Sequence, residues 1–243
     1  MTILLRSALY QLLFLPWTLV LCVSYLPTLP FASRRAVQRF AAFWLDGALW
    51  LQRVVLGLSF EIRGHENLPT GAAIIAAKHQ SAWETMVFHR LLGDPAFVLK
   101  QELLSLPLIG WYMKKTGQIA IDRARGGKAL RHMLEGGRKA VAEGRSLVVF
   151  PEGHRQAPGA TGRYHAGVAM LYGALGVPVV PIAVNSGCYW PRNAFRRKPG
   201  RIVMQILPPI PPGLDRDTLM KGLREVIEAT TRKLEAEAGE TLC

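Results

Sequence analysis

The 243-residue chain suits one α/β domain with a short appendage, and half of its residues are hydrophobic, which allows a substantial core and excludes a disordered chain. A formal charge of +13 points to an anionic partner: nucleic acid, an acidic substrate or an anionic membrane. The cations are scattered and no nucleic-acid motif accompanies them, so no nucleic acid is expected; a membrane surface stays, where each Lys or Arg contributes roughly 1 kcal/mol.

The first element is an uncharged run over residues 7–29, dominated by Leu, Phe, Trp and Val. It can supply the about 20 apolar residues that cross a bilayer. Pro16 is expected to kink it, and Pro27 and Pro30 to end it. It is too long for a signal peptide, and no small-x-small cleavage site precedes Arg34. Residues 34–58 are again apolar but carry Arg34, Arg35, Arg39, Asp46 and Arg53, the pattern of an amphipathic helix lying against a membrane or the domain. Those arginines outnumber Arg6 before the first run, which places the remaining chain on the cytoplasmic side of the inner membrane. The chain thus divides into membrane-anchoring helices (1–58) and an α/β domain (59–243). Cys22, Cys188 and Cys243 have neither pairing nor zinc-ligand spacing and read as reduced thiols.

Strands and helices then alternate. Residues 59–63 read as a strand, 72–78 as a buried strand, 83–92 as a helix and 96–100 as a strand. Residues 103–115 read as a helix broken near Pro107 and Gly110. A strand at 118–122, a helix at 128–143, a strand at 146–150, a helix at 167–175 and strands at 179–185 and 201–207 follow. The last helix, 217–238, sets Leu219, Leu223, Val226, Ile227, Thr230 and Leu234 on one stripe, with a charged opposite face. This order implies a largely parallel sheet flanked by helices, with function at the carboxyl ends of the strands. His79, Lys100, Arg123 and Pro151-Glu152 all fall just after predicted strands.

His79 and Glu84 form the most informative pair. A carboxylate one turn into a helix fixes an imidazole tautomer and leaves the other nitrogen free to take a proton from a hydroxyl. Alone the spacing is weak evidence. It gains force from Phe150-Pro151-Glu152-Gly153-His154-Arg155 after another strand. No Gly-x-Ser-x-Gly elbow and no tight metal-ligand spacing occurs.

With these residues the chain resembles the glycerolipid acyltransferase family. His79-Gln80-Ser81-Ala82-Trp83-Glu84 is similar to its His-x4-Asp block, and Gly117-Gln118-Ile119-Ala120-Ile121-Asp122-Arg123 to Gly-x-x-Phe-Ile-Asp-Arg. Phe150 to Arg155 is close to Phe-Pro-Glu-Gly-Thr-Arg, and Val177-Pro178-Val179-Val180-Pro181-Ile182 supplies a fourth block. Lys100-Gln101-Glu102-Leu103 matches a Lys-x-Glu-Leu stretch. The resemblance covers residues 60–207. Glu84 departs from Asp, Ala120 from Phe and His154 from Thr, and His165 stands near a frequent Lys.

The resemblance implies transfer of a fatty acyl group from a thioester, acyl-CoA or acyl-carrier protein, to a lysophospholipid hydroxyl, with membrane lipids as surroundings. The donor is a substrate, and neither a cofactor nor a metal is expected. His79 is then the base and Glu84 its orienting partner. Arg123 and Arg155 hold the acceptor phosphate, because guanidinium forks match phosphate oxygens, with Lys100 a third cation. Glu152 and Gly153 shape the turn presenting Arg155, and the resemblance places Glu152 in the acceptor site. The first acceptor is the sn-2 hydroxyl of 1-acyl-sn-glycerol 3-phosphate, forming phosphatidate in phospholipid biosynthesis. Alternatives are another lysolipid such as lyso-ornithine lipid, glycerol 3-phosphate, or a non-catalytic lipid-binding protein on this scaffold. His65, His89 and His132 read as surface or core residues.

Overall fold

The computed structural model describes residues 2–239. Helix α1 (Ile3–Tyr25) starts where the Thr2 hydroxyl accepts from the Leu5 N–H, and it continues across Pro16 to a 3-10 turn at Leu26–Thr28, where Pro27 sits. Helix α2 (Arg34–Leu51) is capped by the Ser33 hydroxyl and passes into a π-helical turn, Gln52–Leu56. Gly57 then stops it at φ 67°, a left-handed conformation that costs a glycine little.

The stretch Ile3–Thr28 is long and apolar enough to cross a membrane, with mean hydropathy 1.7, yet it does not stand clear of the domain. Its inward face is the polar one. Ser7 Oγ accepts from the Arg197 backbone N–H at 2.9 Å, and Gln11 Oε1 from Arg197 Nη2 at 3.1 Å. At the far end Tyr112 Oη donates to the Cys22 carbonyl at 2.6 Å, and Lys115 Nζ to that of Pro30 at 2.8 Å. The aliphatic face points outward, with Leu12 69% and Val20 64% exposed. Helix α2 likewise turns polar groups inward: Arg34 meets Asp94 at 3.1 Å and Gln38 donates to Asp94 at 2.8 Å, while Asp46 pairs with Arg90 at the surface. Arg35 and Arg39 stay exposed. The long apolar face left uncovered on α1, with Phe43 and Trp50 exposed beside Arg35 and Arg39 on α2, associates this protein with a membrane.

The domain follows the predicted alternation, with one short helix, α7, that the sequence reading did not include: β1 (Leu58–Arg63), β2 (Ile74–Ala77), α3 (Trp83–Leu92), β3 (Ala96–Lys100), α4 (Ile109–Lys115), β4 (Ile119–Ile121), α5 (Gly127–Ala142), β5 (Leu147–Val149), α6 (Gly167–Leu175), β6 (Val179–Val184), α7 (Ser186–Tyr189), β7 (Gly200–Ile206) and α8 (Arg216–Ala238). The sheet order is β1-β7-β6-β2-β5-β3-β4. All neighbours are parallel except β6 and β7, so the sheet is largely parallel, as expected. β6 and β7 run antiparallel because only short α7 and a loop join them, without the long crossover that parallel neighbours need.

Central β2 is buried on both faces. Ile75 and Ala77 enter the core under α3 and the N-terminal helices, while Ile74 and Ala76 enter the core under α5, α6 and α8. Residues 103–115 break as predicted: a 3-10 turn over Gln101–Ser105 precedes α4, and Leu108 between them takes φ 61°. α8 corrects the sequence reading. Leu219, Leu223, Ile227 and Leu234 are buried, but Val226 is exposed, and Glu228, Thr231 and Glu235 are buried in its place. Cys22 is free and buried; Cys188 is disulfide-bonded, which departs from the expectation of reduced thiols.

Candidate active site

β2, β5, β3 and β4 are consecutive in the sheet and parallel, so the segments after them share one edge. That edge gathers the loop of His79, the loop Phe150 to Arg155, Lys100 and the turn Arg123–Arg125. Arg123 opens that turn directly after β4; its side chain lies outside the described residues.

His79 is held from two sides. Its ring stacks on Phe150, centroids 3.9 Å apart at 18°. Its Nδ1 lies 3.8 Å from Glu84 Oε1, a charge contact longer than a hydrogen bond. Glu84 sits in the first turn of α3 and is fully buried. Its Oε1 accepts from the backbone N–H groups of Gln80 at 2.7 Å and Ser81 at 2.9 Å. The longer side chain of Glu thus reaches back over the loop that carries His79. Nδ1 is buried without a hydrogen-bond partner, with the Glu84 carboxylate the acid beside it.

The opposite side of these loops is a buried ionic cluster. Lys78 Nζ meets Glu152 Oε1 at 2.8 Å, Glu228 Oε1 at 2.9 Å and the Ala160 carbonyl at 3.0 Å. Glu152 also accepts from the N–H groups of His79 at 3.3 Å and Gly162 at 3.2 Å. It is fully buried, behind the loop and not on the cavity wall. Gly153 turns the chain at φ 72°, and the Gln156 N–H donates to the His79 carbonyl at 2.8 Å, stitching the two loops together.

A cavity of about 850 Å³ opens in front, within the range of ligand sites. His79, Lys100, Gly153 and Arg155 all line it, with His154, His165 and Arg192. Its apolar part is walled by Met86, Leu103, Tyr112 and Met133 and also by Phe40 and Trp44 of α2. The N-terminal helices therefore complete the cavity. A polar mouth with an imidazole on its wall, running into an apolar slot, suits an amphiphile.

Sequence reasoning missed several participants. Arg192, whose Nη1 donates to the Arg155 carbonyl at 3.4 Å, lies in no block. His89 lines the cavity, and burial pushes its pKa down to about 4, so it stays neutral. Phe150 was read as part of a block, not as the surface under His79. Glu228 and Glu235 did carry a signal: acids seven residues apart beside the apolar stripe of α8.

Comparison with known proteins agrees with this geometry. The Acyltransferase family profile matches residues 59–185, more than half of the chain. The chain is 39% identical to a 1-acyl-sn-glycerol-3-phosphate acyltransferase of Pseudomonas aeruginosa over 75% of its own length and 70% of that protein. It is 28% identical to a lyso-ornithine lipid O-acyltransferase of the same organism over 93% of this chain and 92% of that one. The crystal structure of the 1-acyl-sn-glycerophosphate (LPA) acyltransferase PlsC from Thermotoga maritima shares the fold, with TM-score 0.80, 24% identity and coverage of 97% and 98%. The chain belongs to the acyltransferase family.

Proposed function

We propose that this protein moves a fatty acyl group from acyl-CoA or acyl-carrier protein to the sn-2 hydroxyl of 1-acyl-sn-glycerol 3-phosphate, forming phosphatidate. The observation that carries the reading is His79, clamped between Phe150 and Glu84, on the wall of a cavity that also presents Lys100 and Arg155. Identity to the Pseudomonas 1-acyl-sn-glycerol-3-phosphate acyltransferase supports the acceptor.

The acceptor phosphate sits among the cations at the mouth, Arg155, Lys100 and Arg123, and its chain follows the apolar wall. His79 takes the hydroxyl proton as the oxygen attacks the thioester carbonyl. That attack forms the new C–O bond; collapse of the tetrahedral intermediate restores the carbonyl and breaks the C–S bond, and the proton held by His79 passes to the leaving thiolate. Glu84 steadies the imidazolium through charge. A base of this kind contributes about 10²–10⁴-fold.

The reaction takes place where the acceptor resides. The outward aliphatic face of α1 beds in the membrane with Phe43 and Trp50 of α2 beside it, and exposed Arg35 and Arg39 support a position on the cytoplasmic side of the inner membrane.

A second reading rests on the near full-length match to the lyso-ornithine lipid O-acyltransferase. Its test is a panel of acceptors: 1-acyl-glycerol 3-phosphate, lyso-ornithine lipid and glycerol 3-phosphate, each with both donor types. Preference for the phosphate monoester supports the first reading, and preference for the ornithine acceptor overturns it. In the same assay His79→Ala is expected to lose about 10²–10⁴-fold in kcat. Unchanged transfer by that variant removes the assignment of the base.

A further inference from the structure

Helix α8 lies beyond the residues that the family profile matches, yet two of its carboxylates reach the back of both active-site loops. We propose that Glu228 and Glu235 are positioning residues for acyl transfer: Glu235 sets the His79 loop through Gln80, and Glu228 sets the Arg155 loop through Lys78, Thr161 and Tyr164. This rests on His79 being the base.

The two acids stand seven residues apart, two turns along one face of α8. Both are largely buried, at 5% and 9% exposed. Glu235 Oε1 accepts from Gln80 Nε2 at 2.6 Å, and both its oxygens from the Gly159 N–H at 3.2 Å. A carboxylate accepts only, so the Gln80 amide must turn its NH2 toward Glu235. Its carbonyl oxygen is then left to accept from the Gly187 N–H at 3.2 Å. Gln80 is fully buried, adjoins His79, and gives its own backbone N–H to Glu84. Glu235, Gln80 and Glu84 thus form one run of directional contacts that ends beside the imidazole.

Glu228 works on the other loop. It accepts from Lys78 at 2.9 and 3.0 Å, Tyr164 Oη at 3.0 Å and Thr161 Oγ1 at 3.2 Å. Burial, with Glu228 and Glu152 nearby, pushes the Tyr164 phenol well above its ordinary range, so it remains a donor. Residues 160–164 are thereby drawn onto α8, next to the turn that presents Arg155.

Geometry is what such a cluster supplies. Buried ion clusters add little stability over well-packed apolar groups, whereas their hydrogen bonds fix orientation. A catalytic group misplaced by 1 Å loses about 10²-fold, so orientation at this loop reads out in rate.

The test uses the full chain in detergent micelles, with acyl-CoA as donor and 1-acyl-glycerol 3-phosphate as acceptor. Glu235→Ala is expected to lower kcat by about 10²-fold while KM for both substrates stays within about twofold. Glu235→Gln, which keeps a carbonyl acceptor for Gln80, is expected to recover most of that loss. Glu237→Ala, on the same helix but half-exposed and paired with Arg63, is expected to behave as wild type. Wild-type kcat in folded Glu235→Ala, with His79→Ala inactive, overturns this inference alone. An active His79→Ala overturns it together with the base assignment. If Glu235→Ala does not fold, Gln80→Met cuts the same link and leaves Glu235 on Gly159; wild-type kcat there is equally fatal.

Discussion

α1 and α8 are both 23-residue helices docked on one α/β domain, and they are built inside out relative to each other. α8 buries leucines and isoleucine and shows water its lysines and arginines. α1 buries only Ser7, Tyr10 and Cys22 and leaves its leucines uncovered. Each helix satisfies the medium outside it. Beside water the apolar stripe goes in; beside lipid, outward aliphatic groups lose nothing, and the inward face is free to carry hydrogen bonds to Arg197. The charged exceptions on α8, Glu228 and Glu235, are tolerated because Lys78, Tyr164, Gln80 and Gly159 give them partners.

The largest test of this contrast replaces Leu12 and Leu19 on the outer face of α1 with Gln, which adds no charge. Removing two lipid-facing leucines should weaken partition onto anionic vesicles by about 4 kcal/mol, roughly 10³-fold, in co-sedimentation, with helicity retained. Undiminished binding would break the comparison at its lipid side. On α8 the matching change is Leu223→Ala at a fully buried position, which should cost about 3 kcal/mol of unfolding free energy in a denaturant titration. A cost below about 1 kcal/mol would mean that α8 is not a core helix.

The third test concerns α3, on which α2 rests. Burial holds His89 at a pKa of about 4, below its ordinary 6.5. As pH falls, the unfolded chain binds this proton first. The neutral ring's contribution is therefore whole above pH 6.5 and declines as pH falls toward 4, by at most about 3 kcal/mol. His89→Phe should flatten that part of the stability profile; an unchanged slope places the loss in other groups. The smallest effect belongs to Val226→Lys on the exposed face of α8, expected within about 0.5 kcal/mol of wild type. A larger loss would show that this face is covered.

Much of the fold is legible because its signals are local. Periodicity and flanking turns gave α3, β3 and α6 with the bounds observed, and the spacing of His79 and Glu84 gave their proximity, since five residues cannot separate them far. Lys100, Gly153 and Arg155 line the cavity because strand ends meet at one sheet edge. Glu152 was read as shaping, with Gly153, the turn that presents Arg155, and the resemblance placed it in the acceptor site. The alternation of directions in that turn instead sends it backward to Lys78, away from the cavity, and nothing local in the sequence marks that choice.

The sequence by itself determined most of the elements, their order, the apolar N-terminal run and the nearness of His79 to Glu84, because caps, periods and short spacings act within a few residues. Only the tertiary structure decided which side of each helix faces inward, that α2 walls the cavity, and that acids about 150 residues downstream neutralise and orient the loop around Lys78 and Gln80. Those choices depend on what packs opposite each face and on the medium beyond it, and no local pattern encodes either.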